Sequence, residues 1–268
     1  MKILFVRLFV LSFVTLFCIR TAIAAPIVVT VHPLAILLHD LGVPEQDIVT
    51  LIPAGVDPHA FEAVPSQIKL LSTAPLILTS SGVEFNTMLL ASTSWNTKVI
   101  SIGDPATMSE HGWLNPKLVI DNLPTVAQAA SHARGTALDV ASLEQTVKAL
   151  KEVFDRPVPA ECAFVSDHPM LTAWASFIGC KEVGTLRSSG SHAEMTPRSM
   201  QKIKQYKAAY PKLIFIGTSS SPGSLFTVIH ESFQIPTLHV QESASGFSSF
   251  VEYYRSIRNA FPVREPGL

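Results

Sequence analysis

Ile27-Val-Val-Thr-Val31 and Ile48-Val-Thr-Leu-Ile52 are two short β-branched runs separated by Pro33–Leu41, a helix-like stretch. Five-residue apolar runs bounded by turn residues fit strands buried on both faces, and a strand–helix–strand order implies parallel pairing. The pattern continues outward. Pro65-Ser-Gln-Ile-Lys-Leu-Leu71 reads as a helix with proline in its first turn. Leu76–Leu78 reads as a short strand, Glu84–Ala91 as a helix and Lys98–Ile102 as a fourth strand.

From Pro116 to Phe154 no strand is predicted. Leu143, Val147, Leu150 and Phe154 keep helical spacing along one apolar stripe. Pro124 and Gly135 suggest a break or kink in this connector, which Arg156-Pro-Val-Pro159 closes. Alternation then resumes with strands over Ala163–Ser166, Val183–Leu186, Leu213–Ile216 and Thr237–Val240. Helices are expected over Leu171–Ile178, Pro197–Tyr210 (capped by Thr196), Gly223–Phe233 and Phe247–Ala260. The expected fold is α/β, with two lobes, each a four-stranded mostly parallel sheet flanked by helices, around a helical link. The boundaries are 1–25 for an export signal, 26–116 for the N-terminal lobe, 117–156 for the linker and 157–268 for the C-terminal lobe.

The first residues carry the signal. Lys2 and Arg7 flank the apolar run Phe9 to Phe17, and Ala22-Ile-Ala24-Ala25 offers small residues for cleavage. The run is shorter than a span of ~20 residues and Arg20 interrupts it. Cys18 follows a bulky Phe17, which argues against lipidation. A secreted, periplasmic product is therefore expected. Cleavage removes Lys2, Arg7 and Arg20 from the 20 basic residues and none of the 21 acidic ones, leaving a formal charge near −4. No basic stripe exists, so nucleic acid is not an expected partner. Cys162 and Cys180 remain. Either they form a disulfide, which the oxidising compartment favours, or they are two buried thiols.

Three histidines stand past strand ends: His59 in Val-Asp-Pro-His59-Ala-Phe-Glu62, His111 in His111-Gly-Trp-Leu-Asn-Pro116, and His168 in Phe164-Val-Ser-Asp-His168. In open α/β sheets the loops beyond the strands' carboxyl ends form the ligand crevice. Three neutral imidazoles meeting there would make a transition-metal site. Any one of them alone reads as a surface residue. His32, His39, His132, His192 and His230 lack the placement, although His192 could line the crevice from the loop after Leu186. His39 and His230 read as exposed helix residues. Glu62 and Asp167 suit a role beside ligating imidazoles, with a plain turn acid as the alternative for Asp167. Ser219-Ser-Ser221-Pro222 reads as a cap for the helix at Gly223.

Pro53-Ala-Gly-Val-Asp-Pro-His59-Ala-Phe-Glu62-Ala-Val-Pro65-Ser66 closely resembles the first metal-ligand segment of the zinc and manganese solute-binding proteins of ABC transporters. His111-Gly-Trp113-Leu-Asn-Pro116 resembles their second motif, in which Asp or Ser stands at the place of Asn115. Ser81-Gly82-Val83-Glu84-Phe85 looks like a family turn, and His168 has the family's spacing to Gly179. The resemblance implies two four-stranded lobes joined by a long linking helix, with one metal ion between them. It further implies a monomeric, non-enzymatic carrier that delivers its ion to a membrane permease. His59, His111 and His168 carry over as ligands. The family's fourth ligand, an aspartate, is absent from Leu238-His239-Val-Gln-Glu242-Ser. Glu242 is the chosen replacement, with His239 and water as alternatives. A family glutamate is replaced by Gly217-Thr218, and the loop from Ile102 to His111 lacks the His-rich insertion of some zinc-specific members.

Three nitrogens and one oxygen suit Zn(II), whereas oxygen-rich sites suit Mn(II). A competing reading is a zinc hydrolase in which the same histidines activate water, with Glu62 or Glu194 as base. The sequence lacks His-Glu-x-x-His. A chelate such as a siderophore is a third cargo, but it leaves the converging histidines unexplained. Chelator-sensitive turnover would mark the hydrolase; stoichiometric sequestration without turnover would mark the carrier.

Overall fold

The computed structural model describes residues 25–56, 61–80, 91–103, 111–155, 158–159, 161–167, 169–186, 196–218, 221 and 223–262. The expected signal, apart from Ala25, and the helix expected over Glu84–Ala91, apart from Ala91, lie outside them. In the first lobe β1 (Ile27–Val31), β2 (Ile48–Ile52), β3 (Leu76–Ser80) and β4 (Lys98–Ile102) form a parallel sheet of order β2-β1-β3-β4. Ile27 lies opposite Ile48, and Val31 opposite Ile52. In the second lobe β5 (Ala163–Ser166), β6 (Lys181–Thr185), β7 (Ile214–Thr218) and β8 (Thr237–Val240) repeat the arrangement as β6-β5-β7-β8. Each sheet therefore reverses its winding between its two central strands, where ligands collect at the carboxyl edge.

The central strands β1, β3, β5 and β7 are buried throughout, as their continuous apolar runs require. Edge strand β6 starts at Lys181, two residues earlier than the apolar pattern suggests. Its polar start is accommodated because the Ser166 and Thr172 hydroxyls both donate to the Glu182 carboxylate. Charged residues on an edge also discourage pairing with other chains.

Helix α1 (His32–Asp40) follows β1 without a loop, and α2 (Pro65–Thr73) precedes β3. The connector is two helices, α3 (Pro116–Arg134) and α4 (Val140–Val153), rather than one. Gly135 ends α3 in the left-handed region at φ 63°, which glycine occupies without steric cost. The Asp139 side chain then caps α4 through the Ala141 N–H. Helix α3 packs on β3 and β4 and also on α5 (Thr172–Ile178), so it touches both lobes. Helices α6 (Pro197–Ala209) and α7 (Gly223–Phe233) cover the outer face of the second sheet, above a satellite core that includes Ile203, Phe215 and Phe226.

One apolar core runs through both lobes, from Ile27 to Phe261. At its centre Trp174 meets Tyr254 edge-on at 4.4 Å and Phe154 at 5.0 Å. The last helix, α8 (Phe250–Ala260), crosses to pack on α1 and α4. Its start is tied to the first lobe: Asp40 accepts from Ser249 Oγ and Val251 N, both at 3.0 Å. Burial pushes the Asp40 carboxyl above its ordinary value, more than these bonds lower it. A raised carboxyl binds its proton more tightly folded than unfolded. Its stabilising contribution is thus complete below the ordinary carboxylate range and lost as pH rises through the raised value. Asp40→Asn, which keeps an acceptor without the charge, is expected to be neutral or stabilising at pH 7 in urea unfolding, an advantage that vanishes in acid. Asp40→Ala should instead lose about 1 kcal/mol at neutral pH.

The bridge favoured by the compartment argument is present: Cys162 and Cys180 are joined, with Cα atoms 4.8 Å apart. It pins the start of β5 to the end of α5, at the sheet edge opposite the crevice. Closing an 18-residue separation limits the unfolded chain by about 3 kcal/mol. The double variant Cys162→Ser, Cys180→Ser should lower unfolding stability by that amount and leave ligand affinity unchanged.

Candidate metal site between the lobes

The carboxyl ends of β1, β2 and β4 in one lobe and β8 in the other enclose a cavity of about 270 Å3. Its lining includes His32, Pro53, Gly55, Val56, His111, Trp113, Glu242 and Ser243. His111 is 5% exposed and heads a 3-10 turn, Gly112–Leu114, that leads into α3. Gly112 holds that turn against the end of β4. A Cβ there would lie 1.8 Å from the Ile102 carbonyl oxygen, so only glycine fits. Asn115 caps α3 by accepting from Leu118 N at 3.3 Å, a task it performs as well as the Asp or Ser of the resembling motif.

Trp113 is the clasp. Its ring meets the His111 imidazole edge-to-face at 5.2 Å, and its Nε1 donates across the lobes to the Glu242 carbonyl at 3.1 Å. Tyr253 Oη donates to the same carbonyl at 3.2 Å, and Tyr254 Oη donates to the Trp113 carbonyl at 2.6 Å. Burial pushes both phenols well above their ordinary values, with the Glu242 charge adding to the effect at Tyr253. Both hydroxyls therefore stay protonated donors. Glu242 sits in a turn closed by Ala244 N donating to the Gln241 carbonyl, with buried Ala244 at φ 52°. A non-glycine residue held there costs about 1–2 kcal/mol, which the surrounding contacts must offset. Ser243 Oγ is buried without a hydrogen-bonding partner among the described residues. A polar occupant of the cavity would supply one.

Of the four residues singled out as ligands, His111 and Glu242 line this cavity together. His59 and His168 lie outside the described residues, as do His192 and Glu194. Among the described residues no group of three or more His, Cys, Asp or Glu side chains could hold a metal ion. His239, the alternative to Glu242, is exposed and stacks on Phe226 at 3.6 Å, and it is not part of the cavity lining. Glu62 is exposed. Asp167 is fully buried and accepts from Ser221 Oγ and, at 3.5 Å, from Thr218 Oγ1. It joins the ends of β5 and β7. Ser221, read from sequence as part of a helix cap, serves this junction, and it also accepts from Thr218 N at 2.8 Å. A Cβ at Gly217 would meet Phe226 Cζ at 2.4 Å, so a larger residue there would displace that ring.

His32 corrects the sequence reading, which set it aside. It is half-buried and lines the cavity. The signal was available: β1 ends at Val31, so the next residue already stands on the carboxyl edge.

Two parallel four-stranded lobes with one core and a cavity between their carboxyl edges define a two-lobed α/β solute-binding protein. The chain belongs to the family of periplasmic component A of zinc-uptake complexes, whose model matches residues 27–261. That family is a metal-binding transport component. Among solved structures, the chain is similar to the laminin binding protein of Streptococcus agalactiae (TM-score 0.71, 15% identity, covering 88% of this chain and 97% of that one). It is also similar to FpvC of Pseudomonas aeruginosa in complex with Mn2+ (0.69, 17%, 88% and 96%) and to a zinc-bound ZnuA deletion mutant (0.68, 19%, 90% and 100%). At these identities the likeness speaks to the fold. A comparison with curated protein sequences finds no match.

Proposed function

We propose that this protein, exported to the periplasm, captures one divalent transition metal ion between its lobes and delivers it to an ABC permease. The observation that carries the reading is that a buried imidazole, His111, and a carboxylate residue, Glu242, come from opposite lobes to one cavity that also contains the unpartnered Ser243 hydroxyl. His59 and His168 complete the ligand set in this proposal. Supporting this, Val56 lines the cavity three residues before His59, and Asp167, the residue after β5, immediately precedes His168 in sequence. Three imidazoles and a carboxylate match Zn(II) better than Mn(II). The protein acts as a monomeric carrier rather than a hydrolase, with the two lobes of 26–116 and 157–268 each contributing donors. Because one apolar core runs through both lobes, capture needs small movements. Release then depends on the permease drawing ligands apart or on imidazole protonation.

Calorimetric titration of the mature protein tests this. One Zn(II) per chain is expected, with Mn(II) bound more weakly. Glu242→Gln should weaken zinc by more than the about 10–100-fold that loss of a merely orienting partner costs, and His239→Ala should leave it unchanged because that ring is committed to Phe226. Unaltered affinity in Glu242→Gln would transfer the fourth position to water; absence of stoichiometric zinc would overturn the function.

A further inference from the structure

We propose that the ion reaches the site by a route along one face of α1, stepping from His39 to His32 before it meets His111. This rests on the metal-carrier reading above and adds a way in. A second cavity, of about 310 Å3, lies beside the first and is lined by His32, His39, Glu45, Thr50, Phe247 and Ser248 among others. Among the described residues, His32 is the imidazole that lines both cavities. Its position follows from register: Val31 pairs with Ile52, so His32 and Pro53 leave adjacent strands side by side at the crevice edge.

Exposure is graded along the route. His39 is exposed, His32 half-buried and His111 buried. His32 and His39 are seven residues apart on one helix, which places them on the same face and about 10 Å apart along its axis. That spacing prevents both from gripping a single ion at once, and no group of three or more donors among the described residues forms a closed site. Two spaced, singly coordinating imidazoles suit brief residence instead of storage. Glu45, also exposed, adds a negative charge at the outer opening, on a mature chain whose formal charge is already near −4. Fields of this kind concentrate cations at a cleft mouth.

A group on the path but absent from the final coordination speeds entry and exit equally, so it changes rates without changing affinity. The test uses Zn(II) alone, mixed rapidly with metal-free mature protein, with tryptophan fluorescence as the signal because Trp113 adjoins His111. Release is followed into excess chelator. In His39→Gln, association and dissociation rates should fall together, on the order of tenfold, while Kd and the one-ion stoichiometry stay as in wild type; in His32→Asn the association rate should fall likewise. His39 is exposed, so that variant is expected to fold normally even if the half-buried His32 variant does not. Wild-type rates in either folded variant overturn the route. A weakened Kd with an unchanged association rate also overturns it, since His32 would then be a resident ligand. Failure of the parent reading looks different: wild-type protein itself would not bind zinc stoichiometrically.

Discussion

His111→Ala is expected to remove stoichiometric zinc binding while leaving the protein folded. The residue is buried, lines the inter-lobe cavity and is held there by the Gly112 turn and the edge of Trp113. Losing a group that merely orients a ligand reduces metal affinity about 10–100-fold, so losing a ligand should exceed that. The fold should tolerate the change, because an edge-to-face ring contact contributes only about 1 kcal/mol beyond area. Calorimetry beside circular dichroism separates the two effects. Retained wild-type affinity in a folded variant would remove His111 from the site.

The largest effect on stability should come from Trp113→Ala. Deleting a buried tryptophan side chain costs about 3–5 kcal/mol. Here it also deletes the Nε1 bond to the Glu242 carbonyl, which links the lobes at the cavity. Zinc affinity should fall with stability, since His111 loses its ring contact with Trp113 and the Glu242 carbonyl loses the Trp113 donor. Trp113→Phe keeps most of the packing and should lose about 1 kcal/mol, chiefly the hydrogen bond. Denaturant unfolding of both variants gives the comparison. Equal losses in the two would show that the inter-lobe bond, and not packing, dominates.

Much of the scaffold was legible because parallel strands covered on both faces are written as unbroken apolar runs. β1, β2, β4, β5 and β8 match their runs residue for residue. The misses have physical causes. β3 extends through Thr79 and Ser80 because pairing with Ser101 and Ile102 satisfies their backbone where hydropathy gives no signal. β6 begins at polar residues for which partners from β5 and α5 exist only in three dimensions. The connector, implied by resemblance to be one long helix, divides at Gly135, a break that the glycine itself announced.

The site was legible in part. The motif points to His111, and Glu242 is the replacement chosen for the missing aspartate; both line one cavity. The bond from Trp113 to the Glu242 carbonyl joins residues 129 positions apart, and no local pattern encodes that contact. His32 escapes a reading that looks for ligands in loops after strands, because α1 starts with no intervening loop. His239 and Glu242 were hard to separate on sequence because they sit three residues apart across a strand end; stacking on Phe226 distinguishes them.

A crystal of the zinc-loaded mature protein, measured at the zinc absorption edge, reports most directly on whether both lobes hold one ion. A single anomalous peak about 2.0–2.2 Å from imidazole nitrogens of His59, His111 and His168 and from a Glu242 oxygen is the predicted result. A peak coordinated by residues of one lobe only, or elsewhere on the surface with the His111 cavity empty, would contradict the account.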